Sequence, residues 1–340
     1  AAFFVRRTGP DLPIMSGMIK GAILGFDREA AELYGPALLD AKNFLGIQAV
    51  TCLGPGEERN AAVFPEARIY HGLEELFSGE TDLDFALITS APGQRARCAR
   101  RALENRLHAL CRPPFCFSTT EFDEICQAAQ RNRRIVFSAQ PWEHSHTWRT
   151  LSEIIDRQLP GQTRRAEIQL LSPGRERERG VTAGLGWQAF SVLLGLVRLP
   201  PLTMTARLGL DTAWSPDTAE DEASFQLHFS GATGIIHLSA AAHAARFSVR
   251  LAGEKGLVEL RGNQLFLDIA GNTPETVTLE DDLAEGFERR EWLLSELLSF
   301  RKELEVPDRP RAGLKNSRYC AKLLRNAGYS ASVNSSAVPL

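Results

Sequence analysis

From Ile19 onward the apolar positions arrive in short blocks separated by stretches of helical period. "IKGAILGF" (19–26), "IQAVTCLG" (47–54), "LDFALITSAP" (83–92), "LHALCRPP" (107–114) and "RIVFSAQP" (134–141) are compact apolar runs ending at Gly, Pro or polar residues, the pattern of buried strands. Between them, "EAAELYGPALLDAKNF", "GLEELFSG", "QRARCARRALENR" and "TTEFDEICQAAQRNR" place apolar residues on one helical face, the last opened by Thr119 or Thr120 as N-cap. Strands alternating with helices at this spacing predict an α/β fold with a doubly wound parallel sheet over residues 18–141.

Past Pro141 the period changes. After one helix, "WRTLSEIIDRQL", the runs "RRAEIQLLSP", "LTMTARLGLDT", "EASFQLHFSGATGIIHLSAAA" and "ARFSVRLAGEKGLVELRGNQLFLDI" alternate apolar and polar residues. Period two marks an antiparallel sheet with one covered face, and "SGATG" and "GEKG" fit tight hairpins. The second part, residues 142–331, is therefore predicted as an α+β domain with a large open, mainly antiparallel sheet. Helices around Phe287 to Leu304 and Ala312 to Ala327 close it. Residues 1–17 and the polar tail 332–340 read as loose ends.

Composition narrows the class. An apolar fraction of 44% and a charged fraction of 24% suit a chain that buries a core. A formal charge of −3 carries no nucleic-acid footprint and no polybasic membrane patch. The alternating run Arg175 to Arg179 reads as a solvated loop. Six cysteines without a CxxC pair give neither a disulfide framework nor a zinc pattern, so a reducing, cytoplasmic setting is expected. The uncharged stretch Val181 to Val197 contains three glycines and reads as a buried helix rather than a membrane span.

Three stretches invite a chemical reading. After the first strand stands Gly25-Phe26-Asp27-Arg28-Glu29-Ala30; after the fourth stands Arg112-Pro113-Pro114; and the apolar helix carries Gly184-Leu185-Gly186-Trp187-Gln188 through Ser191. With "GLEELF", "LDFALITSAP", "LENRLHALCRPP" and the hairpins from Glu222 to Leu260, they give the chain a resemblance to the Gfo/Idh/MocA oxidoreductases, the glucose–fructose oxidoreductase and inositol dehydrogenase family. The resemblance runs from about Ile19 to Ala331 and implies a Rossmann-like domain, NAD or NADP as cofactor, and a sugar-like substrate.

On that resemblance the cofactor would meet Gly25, Phe26, Asp27, Ser90, Pro92, Arg95, Arg112 and Pro113. The family's glycine-rich loop has a glycine where this chain has Asp27. A carboxylate about 4 Å from a phosphate oxygen, at an effective dielectric near 20, opposes it by roughly 4 kcal/mol. As a helix cap, by contrast, Asp27 satisfies free N–H groups. Strand two ends without a carboxylate before Glu57, and Arg59 downstream is compatible with a 2′-phosphate or with a plain turn. The family's Glu-Lys-Pro tripeptide falls on Arg112-Pro113-Pro114, so the lysine becomes a residue with no side-chain donor and no titratable group. Its acid/base histidine falls on Gln188, and the two aspartates of the same motif fall on Gly184 and Ser191.

These losses predict a catalytically degenerate member, a pseudoenzyme acting as a binding or partner protein, with cofactor binding in doubt. The cleft is expected to be lined by Arg112, Trp142, Glu143, His146, Trp187 and Gln188. One alternative is an active NAD(P)-dependent oxidoreductase with a rebuilt site; another is a non-redox lyase or hydratase using Glu143 and His146. His144 and His146 form an H-x-H pair with no third ligand in view, so no metal is expected. His228, His237 and His243 are read as sheet-face residues, and Trp148, Trp214 and Trp292 as packing. The resemblance further implies self-association, or pairing with an active paralogue, through the open sheet.

Overall fold

A computed structural model describes residues 17–174, 180–209, 219–305 and 312–340. The stretch 1–16, the run Arg175 to Arg179 and Trp214 lie outside the described residues. The first half builds β1 (Ile19–Leu24), α1 (Arg28–Asp40), β2 (Leu45–Thr51), α2 (Glu57–Ala61), β3 (Arg68–Tyr70), α3 (Leu73–Gly79) and β4 (Phe85–Ile88). It continues with α4 (Pro92–Glu104), β5 (His108–Cys111), α5 (Thr119–Asn132) and β6 (Val136–Ser138). The strands lie in the order β3-β2-β1-β4-β5-β6 and every pairing is parallel. The chain winds one way from β1 to β3 and the other way from β4 to β6. The crevice at the carboxyl ends of β1 and β4 is therefore the topological switch point, where ligands bind in sheets of this kind.

Helices cover both faces, which is why β4 ("FALI") is buried at all four positions and shows no alternation. The cap of α5 is Ser118, one residue before the expected threonines, with its hydroxyl accepting from the Glu121 N–H at 3.2 Å.

The second half opens with α6 (His146–Asp156), β7 (Thr163–Leu171), α7 (Val181–Val197), β8 (Pro201–Leu208), β9 (Glu222–Phe229) and β10 (Ala232–Ser239). Then come β11 (Arg246–Gly253), β12 (Gly256–Arg261), β13 (Gln264–Ile269), β14 (Glu275–Thr278), α8 (Arg290–Glu305), α9 (Ala312–Ser332) and β15 (Val338–Pro339). Nine strands form one sheet, β14-β13-β12-β11-β7-β10-β9-β8-β15, in which β7 and β10 run parallel and the other pairs antiparallel. The period-two reading holds closely on β9. Ala223, Phe225, Leu227 and Phe229 are buried beneath α7, while Ser224, Gln226 and His228 face out. Phe190 of α7 meets Phe225 edge to face at 5.0 Å.

Three expectations change. The tail is not loose: Val338 pairs with Met204 at the sheet edge and is buried, and the Leu340 N–H donates to the Leu202 carbonyl at 2.8 Å. His243 lies in the connection after β10, not on a strand. Helix α8 does not cover the large sheet. It returns to the first one, where Phe300 sits between Phe85 (5.5 Å) and Phe137 (5.6 Å), and Leu293 and Leu297 join the same core. The two halves are thus laced by a helix that crosses back, and the crevice between them is held from behind. No helix among the described residues is long and apolar enough to cross a membrane.

The Phe190–Phe225 pair ties α7 to the sheet. Phe190→Ala is expected to cost about 3–5 kcal/mol in urea-induced unfolding, the range for emptying a fully buried aromatic site.

Candidate functional site

Where β1 ends, the chain turns through Gly25 at φ +76°, a left-handed conformation that only glycine adopts without strain. A Cβ there would also lie 2.4 Å from the Ser90 Cα, so this loop and the one after β4 are in contact. Ser90 is buried and its N–H donates to the Leu24 carbonyl at 2.8 Å. Phe26 is fully buried against Phe64 and offers no side chain to a ligand. Asp27 caps α1, its Oδ1 accepting from the Ala30 N–H at 2.8 Å. Arg28 pairs with Glu32 on the exposed side of α1 and does not turn inward.

The first carboxylate after strand two, Glu57, closes the other side of this loop. Glu57, at the start of α2, is buried, and its Oε2 accepts both the Phe26 N–H (3.0 Å) and the Leu53 N–H (2.9 Å). Asn60 of the same helix donates to the Phe26 carbonyl at 2.9 Å. Gly54 leaves the room this needs: a Cβ there would stand 2.9 Å from the Glu57 Oε1.

Across the switch point, β5 delivers Arg112. Its backbone N–H bonds to the Ile88 carbonyl, and the Pro113–Pro114 peptide that follows is cis. Arg95 of α4 braces this turn from below. It is buried, with its Nε donating to the Ser90 carbonyl (2.7 Å) and its Nη1 to the Pro113 (2.9 Å) and Pro114 (3.3 Å) carbonyls. Arg95 therefore clamps the backbone of this turn while also bordering the cleft. Pro92 opens α4 at its first turn, the ordinary place for a proline.

The Arg112 side chain is the centre of the site. Its Nη2 donates to Glu29 in the first turn of α1 (2.8 Å) and to Glu288 of the second half (2.7 Å), while its Nε donates to the other Glu288 oxygen (3.0 Å). Tyr34 lies beneath, its hydroxyl donating to Glu288 at 3.2 Å. Burial opposes the Arg112 charge. The Glu288 carboxylate, by charge and by hydrogen bond, outweighs that with help from Tyr34 and Glu29, so the guanidinium stays protonated at any working pH. Burial, and then the Glu288 charge, push the Tyr34 hydroxyl well above its ordinary value. Neither group can exchange a proton near neutrality.

Above this bridge opens a cleft of about 660 Å³, walled by Glu29, Arg112 and Pro113 on one side and Ser172, Gln188 and Phe287 on the other. Two buried polar atoms that face no partner belong to residues of this wall: Arg112 Nη1, a donor, and Gln188 Oε1, an acceptor.

Of the six residues expected in the cleft, only Arg112 and Gln188 line it. Trp142 is buried behind the wall, edge to face with Trp148 (4.6 Å) and Phe287 (6.1 Å), so it supports Phe287 instead of meeting a ligand. Trp187 points away into the core against Phe115 at 5.1 Å. Glu143 lines a separate depression with Trp148, Arg198 and Lys315. His146 anchors α6, its backbone N–H donating to Asp281 at 2.7 Å. The Glu143–His146 pair that a lyase would need is thus not assembled in the cleft. His144 binds Glu296 at 2.7 Å, and no group of three or more His, Cys, Asp or Glu among the described residues is placed to hold a metal ion.

A dinucleotide is the group this fold implies, and the residues present do not fit it. Its phosphates would approach an α1 N-terminus flanked by Asp27, Glu29 and Glu57, and its nicotinamide end would meet a guanidinium already held by two carboxylates.

Residues 19–140 match the sequence model of the oxidoreductase family with an NAD-binding Rossmann fold. No curated protein sequence matches the chain. Among solved structures, an oxidoreductase from Agrobacterium radiobacter in complex with NAD+, L-tartaric acid and magnesium superposes with a TM-score of 0.80 at 18% identity, covering 95% of this chain and 98% of that one. Levoglucosan dehydrogenase in complex with NADH and levoglucosan gives 0.80 at 14% identity, covering 95% and 99%. An NAD-binding oxidoreductase from Klebsiella pneumoniae gives 0.77 at 18%, covering 95% and 99%. At such identities these likenesses speak for the fold, so the family assignment rests on the N-terminal match. Residues 19–140 match the oxidoreductase family with an NAD-binding Rossmann fold, and the chain as a whole has the two-part fold of the solved NAD- and NADH-bound oxidoreductases it superposes on.

Proposed function

We propose that this protein is a non-redox member of the family, one that holds a small hydroxyl-bearing molecule in the interdomain cleft and transfers no hydride. The observation that carries this reading is the Arg112 bridge. A fully charged, mostly buried guanidinium joins Glu29 and Glu288 directly beneath the cleft. Hydride transfer from an alcohol also requires a group that takes up the hydroxyl proton. Arg112, Pro113 and Gln188 have no proton to exchange in the working range, and Tyr34 is held protonated by burial and by Glu288.

Ligand binding, on the other hand, suits the cleft. An unpaired buried donor and an unpaired buried acceptor each carry a desolvation penalty of about 1–3 kcal/mol. A sugar-like ligand offers hydroxyls of the matching kind, which accept from a donor such as Arg112 Nη1 and donate to an acceptor such as Gln188 Oε1. The levoglucosan complex of a structural neighbour supports a sugar-like molecule as the class of ligand.

A second reading, an active NAD-dependent oxidoreductase with a rebuilt site, is favoured by the family match over residues 19–140 and by the NAD complexes of the neighbours. Its demand is specific: another group must serve as acid or base in a cleft where Glu29, Glu285 and Glu288 are the carboxylates present.

Two measurements follow. Incubated with NAD+ or NADP+ and a panel of sugars, polyols and hydroxy acids that includes levoglucosan and L-tartrate, the purified protein is expected to produce no reduced nicotinamide; sustained production that depends on enzyme concentration would refute the non-redox reading. Arg112→Ala, which strands two carboxylates, is expected to lower unfolding stability by about 3–5 kcal/mol. Arg318→Ala, which breaks the exposed pair with Asp123, is expected to cost about 0–1 kcal/mol. Equal effects in urea titrations would remove Arg112 from its central place.

A further inference from the structure

We infer that the chain's own side chains occupy the places through which a dinucleotide would bind this fold, with Glu57 as the internal anion of the phosphate loop and Arg112 as the internal bridge between the two halves. This rests on the non-redox reading of the cleft and extends it to the half of the site where no chemistry occurs.

The loop after β1 carries an anion of its own. Its Phe26 N–H is directed at Glu57 Oε2, which also takes the Leu53 N–H from the end of β2. One carboxylate oxygen therefore joins the two strand ends between which the adenosine half of a dinucleotide lies in a sheet of this order. The arrangement is built in from several directions. Asn60 secures the Phe26 carbonyl from the same helix, Gly54 leaves room for the carboxylate, and Glu57 is buried although it belongs to a residue type that is seldom so. Asp27 takes the Ala30 N–H and Glu29 sits in the first turn, so the helix end that would attract an anion already carries negative charge. The nearest cation of the loop, Arg28, is turned to Glu32 and solvent.

Electrostatics sets the scale. A carboxylate about 4 Å from a phosphate oxygen, at an effective dielectric near 20, weakens binding by up to roughly a thousandfold. Asp27 and Glu57 stand at this helix end, with Glu29 beside them in its pair with Arg112. Arg112 does not compensate, since its charge is shared between Glu29 and Glu288. That same sharing ties the α1 end to the second half without any bound molecule.

The test is isothermal titration of the full chain with ADP-ribose, which carries the adenosine and both phosphates but no nicotinamide. Wild type is compared with Glu57→Gln and with the double variant Asp27→Gly, Glu57→Ala, each checked for fold by circular dichroism and thermal melting. Glu57→Gln keeps the shape and both accepted hydrogen bonds and removes only the charge, so it serves where the double variant does not fold. Wild type is expected to give no binding at about 1 mM, and the folded variants saturable binding below about 1 mM, a gain of up to roughly a thousandfold for each charge removed. Binding by wild type that Glu57→Gln weakens would overturn the inference, making Glu57 a ligand contact. Absence of any gain in a folded variant would overturn it equally. Because ADP-ribose cannot accept a hydride, wild-type binding without turnover sinks this inference alone, whereas turnover with NAD+ or NADP+ sinks the non-redox reading.

Discussion

A guanidinium cannot be withdrawn from water without partners, and the arrangement of this molecule around Arg112 follows from that constraint. Burying one charge costs several kcal/mol, and only close carboxylates with good hydrogen bonds return it. Here Glu29 comes from the first helix of the Rossmann half and Glu288 from the loop that follows the large sheet, and both reach the same Nη2. Arg95 fixes the turn that aims Arg112, and Tyr34 supports Glu288 from beneath. The two halves are consequently joined at the mouth of the switch point by charge, and behind it by α8, whose Phe300 packs on the first sheet.

A cleft bridged in this way has a different chemical character from one that waits for a cofactor. Arg112 stays charged and Tyr34 beneath it stays protonated, which suits recognition at this end of the cleft. The unpaired Nη1 and Oε1 atoms point to recognition by hydrogen bonds in a low-dielectric pocket, where an unmade bond is costly and a made one is selective. The scaffold keeps the strand order and the loop geometry of a dinucleotide fold, including the Gly25 turn against Ser90. What differs is the sign and the occupancy of the groups at the loop.

The fold was largely legible in the sequence because both sheets write their burial into periodicity: continuous apolar runs where two faces are covered, as in β4, and strict alternation where one is, as in β9. The cap role of Asp27 was legible for the same local reason. The site was less so. Glu57 and Glu288 act through contacts 31 and 176 residues away in the chain, and nothing in "GPGEER" or "GFERRE" announces such a partner. The available signal for Glu57 is an acidic residue just after the Gly-rich turn at the end of β2, which suits any helix start equally well. Trp142 and Trp187 were misplaced because an indole fits a cleft wall and a core alike. Helix α8 packs on the first sheet, a choice its amphipathic period does not reveal, since period shows that a face is buried and not which sheet buries it.

The non-redox reading proposed above is tested by a titration of the unmodified protein with NADH and NADPH followed by nicotinamide fluorescence. The account predicts no saturable change up to about 1 mM cofactor, the level to which an opposition of roughly a thousandfold would push a micromolar site. Saturable binding at micromolar cofactor would contradict it, and would place an active oxidoreductase with a rebuilt site ahead of the binding protein described above.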